Sequence, residues 1–140
     1  MKKALRIGSF FLVLALCTAA MAGCTGRKQE QSAVKGTPQI NFDEDFYDFG
    51  TIAQGEKVSH TFKFRNIGSG QLVITDVTTS CGCTASKYSL EPVAPGAEGI
   101  VEVIFDSYGR EGRQMKKISV WTNCGSDPVT LKILTNIEAK

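Results

Sequence analysis

The chain has 140 residues, and its 16 lysines and arginines exceed its 14 aspartates and glutamates by two. This length accommodates one domain. Three of the basic residues, Lys2, Lys3 and Arg6, precede an apolar run, and without them the balance becomes 13 basic against 14 acidic residues, a net charge of −1. The remaining chain lacks the large positive field of nucleic-acid-binding proteins, so no nucleic-acid partner is expected.

The start of the chain predicts a lipoprotein signal peptide. A basic leader is followed by an apolar run over residues 7–20, shorter than the roughly 20 apolar residues of a membrane-spanning helix. The run ends in Met21-Ala22-Gly23-Cys24, and small residues just before a cysteine are typical of a bacterial lipobox, although leucine is commoner than Met21 at its position. The prediction is cleavage after residue 23 and acylation of Cys24. The alternative is an ordinary secretory leader that leaves Cys24 a free thiol.

The polar, aperiodic residues 25–38 indicate a flexible tether between the lipid and a folded domain over residues 39–138. A flexible segment of this length has an end-to-end distance on the order of 20 Å. The predicted organisation is therefore a signal peptide over residues 1–23, a lipidated cysteine with its tether over residues 24–38, and one domain.

From Gln39 onward, apolar and polar residues alternate with a period of two, which predicts β-strands. Gly50 predicts a bend or bulge within the second strand. Residues 72–77 carry apolar side chains on both faces, which predicts a central or covered strand, and residues 80–97 are predicted to form a long irregular loop. The predicted strands cover residues 40–42, 46–52, 58–65, 72–77, 100–105, 115–122 and 129–137. About seven short strands without a helix predict an all-β domain, a single immunoglobulin-like antiparallel β-sandwich.

Three cysteines are expected to remain in the folded domain, in an oxidising compartment. Cys81 and Cys83 flank Gly82, and Cys124 lies in a turn-like segment. A disulfide from Cys81 or Cys83 to Cys124 closes a loop of about 40 residues and would stabilise the fold by about 4 kcal/mol. The favoured interpretation is structural cysteines, bonded or buried.

The alternative is a periplasmic thiol or copper-binding protein. Three thiolates suit Cu(I) or Zn²⁺, with His60 the one imidazole in the chain. His60 lies in the apolar register of its strand, however, where a hydrogen-bonded structural histidine is commoner than a metal ligand. No cofactor is therefore expected.

No catalytic set is recognised, because no serine has a nucleophile elbow around it and no glycine-rich phosphate loop is present. Some exposed side chains are candidates for other contacts. The acidic run Asp43, Glu44, Asp45 and Asp48 is interpreted as a solvated strand entrance, with a Ca²⁺ site as the alternative. The basic cluster Arg110, Arg113, Lys116 and Lys117 is interpreted as a solvated hairpin end. Candidate aromatic anchors for a protein or glycan are Phe46, Tyr47, Tyr88 and Trp121.

Five blocks, FYDFGTI, GEKVSHTFKFRNIG, LVITDVTTSCGCT, the PVAPG turn and IFDSYGREG, resemble an uncharacterised bacterial domain family found in envelope lipoproteins of Gram-negative bacteria. That family is similar in fold to the Ig-like domains of the Hydin and abnormal-spindle group. The resemblance covers residues 41–137 and implies an Ig-like sandwich in the cell envelope without an assigned activity. Cys124 and the LTNIEA ending depart from the family pattern.

The resulting prediction is a non-enzymatic Ig-like binding or scaffolding module, held to a membrane by its lipid and contacting a protein partner through loops such as residues 80–96. The resemblance, together with Thr25 in place of an aspartate after Cys24, favours the outer membrane.

Overall fold

The computed structural model describes residues 36–80 and 84–139, and this part of the chain forms strands and turns without a helix. Accordingly, it contains no helix that could cross a membrane. The strands are β1 (Ile40–Phe42), β2 (Phe46–Ala53), β3 (Lys57–Asn66), β4 (Ile74–Thr79), β5 (Thr84–Tyr88), β6 (Glu98–Asp106), β7 (Gly112–Thr122) and β8 (Val129–Glu138).

The strands form two four-stranded sheets, which confirms the predicted Ig-like sandwich. Sheet A has the order β1-β3-β6-β5 and sheet B the order β2-β8-β7-β4. The pairing is antiparallel except between β2 and β8, which run parallel. The purely antiparallel prediction is therefore wrong at this one pair. After β1 the chain crosses from the edge of sheet A to the edge of sheet B, so β2 meets β8 running in the same direction.

The core lies between the two sheets and is built by the predicted alternation. On β3, Phe62 and Phe64 are buried while Lys63 between them is exposed, because successive side chains point to opposite faces. The same rule buries Val101, Val103 and Phe105 of β6. The inner face of sheet B contributes Ile52, Ile74, Ile118, Val120, Leu131, Ile133 and Ile137.

The prediction of one long irregular loop over residues 80–97 is wrong. Strand β5 pairs with β6, from Thr84 opposite Phe105 to Tyr88 opposite Val101. Further along, Val93 forms a two-way backbone bridge with Leu72, with N–O distances of 2.8 and 3.0 Å. The TASKY sequence of β5 has no apolar alternation to reveal it. The strand forms because the edge of β6 offers backbone groups that need hydrogen-bond partners.

Strand β4 is an edge strand, so of the two predicted alternatives, a central or a covered strand, the central position is wrong. Ile74 pairs with Thr122 and Asp76 with Trp121, so Thr75 is an extra residue that forms a bulge. The bulge returns Val77, opposite Val120, to the inner face that Ile74 occupies. Ile74 and Val77, which the alternation of a regular strand assigns to opposite faces, therefore share the inner face.

Buried Asn66, at the end of β3, hydrogen-bonds to four backbone groups in three segments of the chain. Its amide nitrogen donates to Gly70 O at 2.7 Å and Val93 O at 2.9 Å. Its Oδ1 accepts from Gly68 N at 3.0 Å and Gln39 N at 3.3 Å. A side chain with no solvent exposure thus has every hydrogen-bonding group in use, as burial of an amide requires.

Candidate functional site

Three of the four predicted cysteine sites, Cys24, Cys81 and Cys83, lie outside the described residues, so the lipid anchor and the thiol pair stay predictions. The described neighbours of residues 81–83 are Ser80 and Thr84. Ser80 N donates to Lys117 O of sheet B at 3.0 Å, and Thr84 pairs with Phe105 of sheet A. The segment therefore connects an edge strand of one sheet with an edge strand of the other.

Cys124 lies in the turn between β7 and β8 as a free, half-buried thiol. Its backbone N–H donates to Thr122 Oγ1 at 3.2 Å. On β7, Thr122 is separated by five residue steps from Lys117, the partner of Ser80, or about 17 Å at the rise of an extended strand.

The described residues thus give no support to a copper or thiol site that includes Cys124. Ser80 and Cys124 lie at opposite ends of the β4–β7 pair. No group of three or more histidine, cysteine or acidic side chains among residues 36–80 and 84–139 is arranged to hold a metal ion.

His60 is held by its neighbours in the manner of a structural residue. Its ring stacks on Tyr47 with centroids 3.6 Å apart and planes 10° apart. Its Nε2 lies 2.8 Å from Glu44 Oε1, and its side chain is 17% exposed. Phe49 and Phe62 approach the same ring edge-on. This agrees with the interpretation of a hydrogen-bonded histidine at the margin of the core.

The acidic run diverges instead of converging on one point. Glu44 faces His60, while Asp48 Oδ1 accepts from Gly50 N at 2.8 Å. Asp45 contributes its backbone carbonyl to Lys132 N, and Asp43 its backbone N–H to Lys63 O. The arrangement agrees with a strand entrance, and no Ca²⁺ site is formed by these described side chains.

The candidate aromatic anchors divide between the inside and the surface. Tyr47 and Tyr88 are half-buried and pack against the core. Phe46 is 43% exposed and Trp121 37% exposed, and both lie on the outer side of sheet B. Sequence reasoning missed Tyr108, the most exposed aromatic residue of the described chain, which is 83% exposed in the turn between β6 and β7.

The outer face of sheet A carries charges of both signs in cross-strand pairs. Lys57 Nζ lies 3.2 Å from Asp106 Oδ2, and Lys87 Nζ lies 4.0 Å from Glu102 Oε2. Arg65 and Glu98 form the third pair. The hydrogen bond from Tyr108 N, and then Lys57, lower the pKa of Asp106 below its ordinary value.

The predicted basic cluster does not act as one group. Arg110 lies in the β6–β7 turn, and Lys116 lies on the inner side of β7, where its Nζ donates to Gln114 Oε1 at 2.9 Å. Arg113 and Lys117 project from the outer side of β7, where Lys117 is directly opposite Lys132 of β8. Sequence reasoning missed Lys132, because only the β7–β8 register brings it beside the cluster.

We call the outer surface of sheet B around these cations the basic face. Three cross-strand rows compose it. One row is Phe46, Lys132 and Lys117; the next is Asp48, Leu134 and Met115; the third is Thr51, Asn136 and Arg113. Phe46 and Met115 are exposed, whereas Leu134 is 8% exposed beneath them.

A shallow groove of about 400 Å³ opens on the basic face between Asp48 and Arg113. Its floor is the bulge of β2, where two residues of β2 oppose one of β8 and Gly50 has a φ of 69°. Thr135 Oγ1 closes the bulge by donating to Gly50 O at 2.9 Å. The bulge predicted from Gly50 is confirmed.

Solved structures share this fold at low sequence identity. A protein of unknown function from Porphyromonas gingivalis W83 matches with a TM-score of 0.60 and 19% identity, over 79% of this chain and 51% of the other. The PapD-like domain 7 of human CEP192 matches with a TM-score of 0.56 and 8% identity, over 86% of this chain and 97% of that domain. The VesB protease of Vibrio cholerae matches with a TM-score of 0.53 and 22% identity, over 70% of this chain and 32% of the protease.

These similarities show the fold alone. The chain spans about half of the Porphyromonas protein and about a third of the protease. Among curated proteins, none matches this chain. One sequence family does match, over residues 40–137, which is nearly all of the sandwich. The chain therefore belongs to the family described as protein of unknown function DUF1573.

Proposed function

We propose that this protein is an envelope lipoprotein whose Ig-like domain is a non-enzymatic binding or scaffolding module. Cys24 would carry the lipid, and residues 25–35 would link it to the domain. The Ala22-Gly23-Cys24 sequence and the polar tether support the anchor. The chain is engaged with the sandwich from Thr37 onward, since Ser69 N donates to Thr37 O at 2.9 Å.

One observation carries the non-enzymatic part of the proposal: the four buried polar residues of the described chain all bond to backbone through their side chains, and Arg110 Nε is the one buried side-chain nitrogen or oxygen there without a partner. Ser107 Oγ lies 2.9 Å from Ala53 O and 2.8 Å from Glu56 O, and Thr122 accepts from Cys124 N. Asn66 and Thr135 complete the set. Polar groups committed to the fold in this way are not available to a substrate, whereas the outer surfaces remain available to a partner.

Metabolic labelling with palmitate tests the anchor. We expect label in the native protein and in a Cys17→Ala variant, and none in a Cys24→Ala variant, because Cys17 belongs to the predicted leader. Mass spectrometry should show that the mature protein begins at an acylated Cys24. A labelled Cys24→Ala protein, or an unacylated native one, would contradict the proposal.

Membrane fractionation tests the location. We expect the native protein in the outer-membrane fraction and a Thr25→Asp variant in the inner-membrane fraction, with Thr37→Asp as the control. Crosslinking in intact envelopes should then recover a partner. Measurable substrate turnover by the purified protein would count against the binding module.

A further inference from the structure

The two outer faces of this sandwich differ in how their charged side chains are paired. On sheet A, three of the four outward lysines and arginines each face a carboxylate across the strands, and Lys63, opposite Ile100, is the exception. On sheet B, Arg113, Lys117 and Lys132 have no carboxylate within 4.0 Å among the described residues. Two of the acidic groups of that face, Asp48 and Asp76, instead accept backbone N–H groups of their own strands, and the third, Glu138, lies at the end of β8.

The pairing of Lys117 with Lys132 works against folding. The two residues are directly opposite in the β7–β8 register, and like charges in that position destabilise a sheet. Nothing in the packing requires them, because both project away from the core. The arrangement also does not follow from an excess of positive charge, since residues 36–140 contain ten basic and thirteen acidic residues.

Apolar side chains lie among these cations. Phe46 adjoins Lys132 in the same row, and Met115 lies between Lys117 and Arg113 on β7. Their side chains are 43% and 52% exposed, over the nearly buried Leu134. Cations interleaved with exposed apolar groups on a sheet face match a surface that is negatively charged outside and apolar beneath.

We propose that the basic face docks onto the anionic phospholipid headgroups of the membrane, with Lys117, Lys132 and Arg113 contacting phosphates and Phe46 and Met115 entering the headgroup layer. The proposal rests on the proposed function in one respect, because the lipid on Cys24 keeps the domain near that membrane. Docking lays the sandwich on the bilayer through sheet B and leaves sheet A and its ion pairs toward the solvent.

The length of the tether favours lipid over an acidic protein as the occupant. Eleven residues separate Cys24 from Gly36, where the described chain begins. Such a segment spans about 18 Å when flexible and at most about 40 Å when extended. With Cys24 anchored in the bilayer, the start of the domain therefore stays within about 40 Å of the headgroups. The domain then meets the anionic surface at a high effective concentration.

Trp121 provides the readout, because it is the one tryptophan of the chain and lies 37% exposed on the outer side of β7. The native acylated protein is reconstituted into vesicles of phosphatidylcholine, or of phosphatidylcholine with about one-third phosphatidylglycerol, each with a nitroxide-labelled headgroup lipid. We expect Trp121 quenching to be stronger with phosphatidylglycerol, and this difference to disappear at high salt because exposed charges are then screened.

Three variants test the residues. Lys117→Gln/Lys132→Gln should weaken docking roughly 30-fold, whereas Lys63→Gln/Lys87→Gln, with the same charge change on sheet A, should leave it unchanged. Lys117→Glu should raise thermal stability by creating a Lys132 ion pair, yet abolish the phosphatidylglycerol-dependent quenching. Loss of docking in a more stable protein cannot be attributed to unfolding.

The experiments distinguish a failure of the proposed lipid anchor from a failure of the proposed docking. A protein that does not float with phosphatidylcholine vesicles contradicts acylation, while quenching by added phosphatidylglycerol vesicles still tests the face. Equal quenching in both vesicle types overturns docking with the anchor intact. Salt-sensitive binding of soluble polyglutamate, without lipid-dependent quenching, overturns it in favour of an acidic protein partner.

Discussion

Gly99 shows how a single missing side chain makes room in the core. It pairs with Phe64 across β3 and β6, and a Cβ built at Gly99 would collide with the Phe64 ring. Phe64 is 1% exposed and belongs to the central cluster, so its ring has little freedom to move aside. The aromatic ring over this glycine is therefore part of the packing of sheet A.

We predict that Gly99→Ala lowers the free energy of unfolding by about 1–3 kcal/mol, the usual cost of overpacking. Gly125→Ala is the control, since a Cβ there meets no atom within 4 Å. Both are measured by urea denaturation. In the double variant with Phe64→Leu, the cost of Gly99→Ala should shrink, and strict additivity of the two costs would contradict the contact.

At Asp106, the folded state favours the ionised carboxylate, because the Tyr108 N–H and Lys57 lower its pKa from the ordinary 3.8. A group whose pKa is lowered on folding stabilises the protein above its unfolded pKa, and that contribution disappears as the pH falls through the folded pKa. We predict that Asp106→Asn is less stable than the native protein at pH 7 and that the gap closes as the pH falls below about 3.8.

Denaturation at a series of pH values checks this prediction. Asp127→Asn, in the exposed β7–β8 turn, is the control for the removal of one carboxylate elsewhere on the surface. A gap for Asp106→Asn that stays constant to the lowest pH would show that the carboxylate charge plays no part.

Cys124 is a free thiol whose side chain packs against the core. We predict that Cys124→Ser lowers the count of free thiols by one and changes the free energy of unfolding by no more than about 1–2 kcal/mol. Thiol titration of native and denatured protein, with and without reductant, provides the count. A count without reductant that rises by one, because the former partner of Cys124 becomes free, together with a loss near 4 kcal/mol, would reveal a disulfide to Cys124.

Among the elements, β4 depends most on an irregularity. Thr75 is the extra residue between the Ile74–Thr122 and Asp76–Trp121 pairs, and it allows Ile74 and Val77 to face inward although they are three positions apart. A regular strand returns to the same face after every second residue. The bulge therefore reconciles the sequence of β4 with an edge position beside β7.

Deletion of Thr75 should be tolerated, because it restores regular pairing while Ile74 and Val77 keep their faces. We predict a folded protein with native circular dichroism. Deletion of Thr61 from the regular β3 is the control and should prevent folding. The residues on one side of the deletion, such as Phe62 and Phe64, would then face away from the core. An unfolded Thr75 deletion would show that the bulge itself is required.

For the whole molecule, the contacts of the described N-terminal segment define where the domain begins. Ile67 N donates to Gln39 O at 2.8 Å and Ser69 N to Thr37 O at 2.9 Å. Gln39 N in turn donates to Asn66 Oδ1. These bonds fasten residues 37–39 along the turn that follows β3, while the polar composition of residues 25–35 is typical of a tether.

We predict that a chain beginning at Gly36 melts at the same temperature as the mature protein. The free energy of unfolding of a chain beginning at Ile40 should be lower by about 4 kcal/mol, since that chain lacks these three hydrogen bonds and the one from Thr37 N to Ser69 Oγ. Thermal melts of the two truncated chains provide the comparison. Equal melting of both would show that residues 37–39 contribute nothing to the fold.

Much of the architecture could be predicted from local pattern. The inward residues of β3, β6, β7 and β8 follow from alternation, and the glycine at position 50 predicts the bulge of β2. The strand β5 could not be found in this way, because its TASKY sequence is stabilised by the edge of β6 rather than by its own periodicity. The edge position of β4 was missed for a similar reason, since a bulge changes the period on which the prediction depends.

The sequence by itself determined the fold class, the inward side of most strands and the expectation of a lipid anchor, because these depend on neighbours along the chain. Only the tertiary structure decided the parallel β2–β8 pair, the distance between Cys124 and Ser80, and the meeting of Lys117 with Lys132. Strand order and register depend on hydrogen bonds between residues far apart in the chain. The basic face exists because of that register.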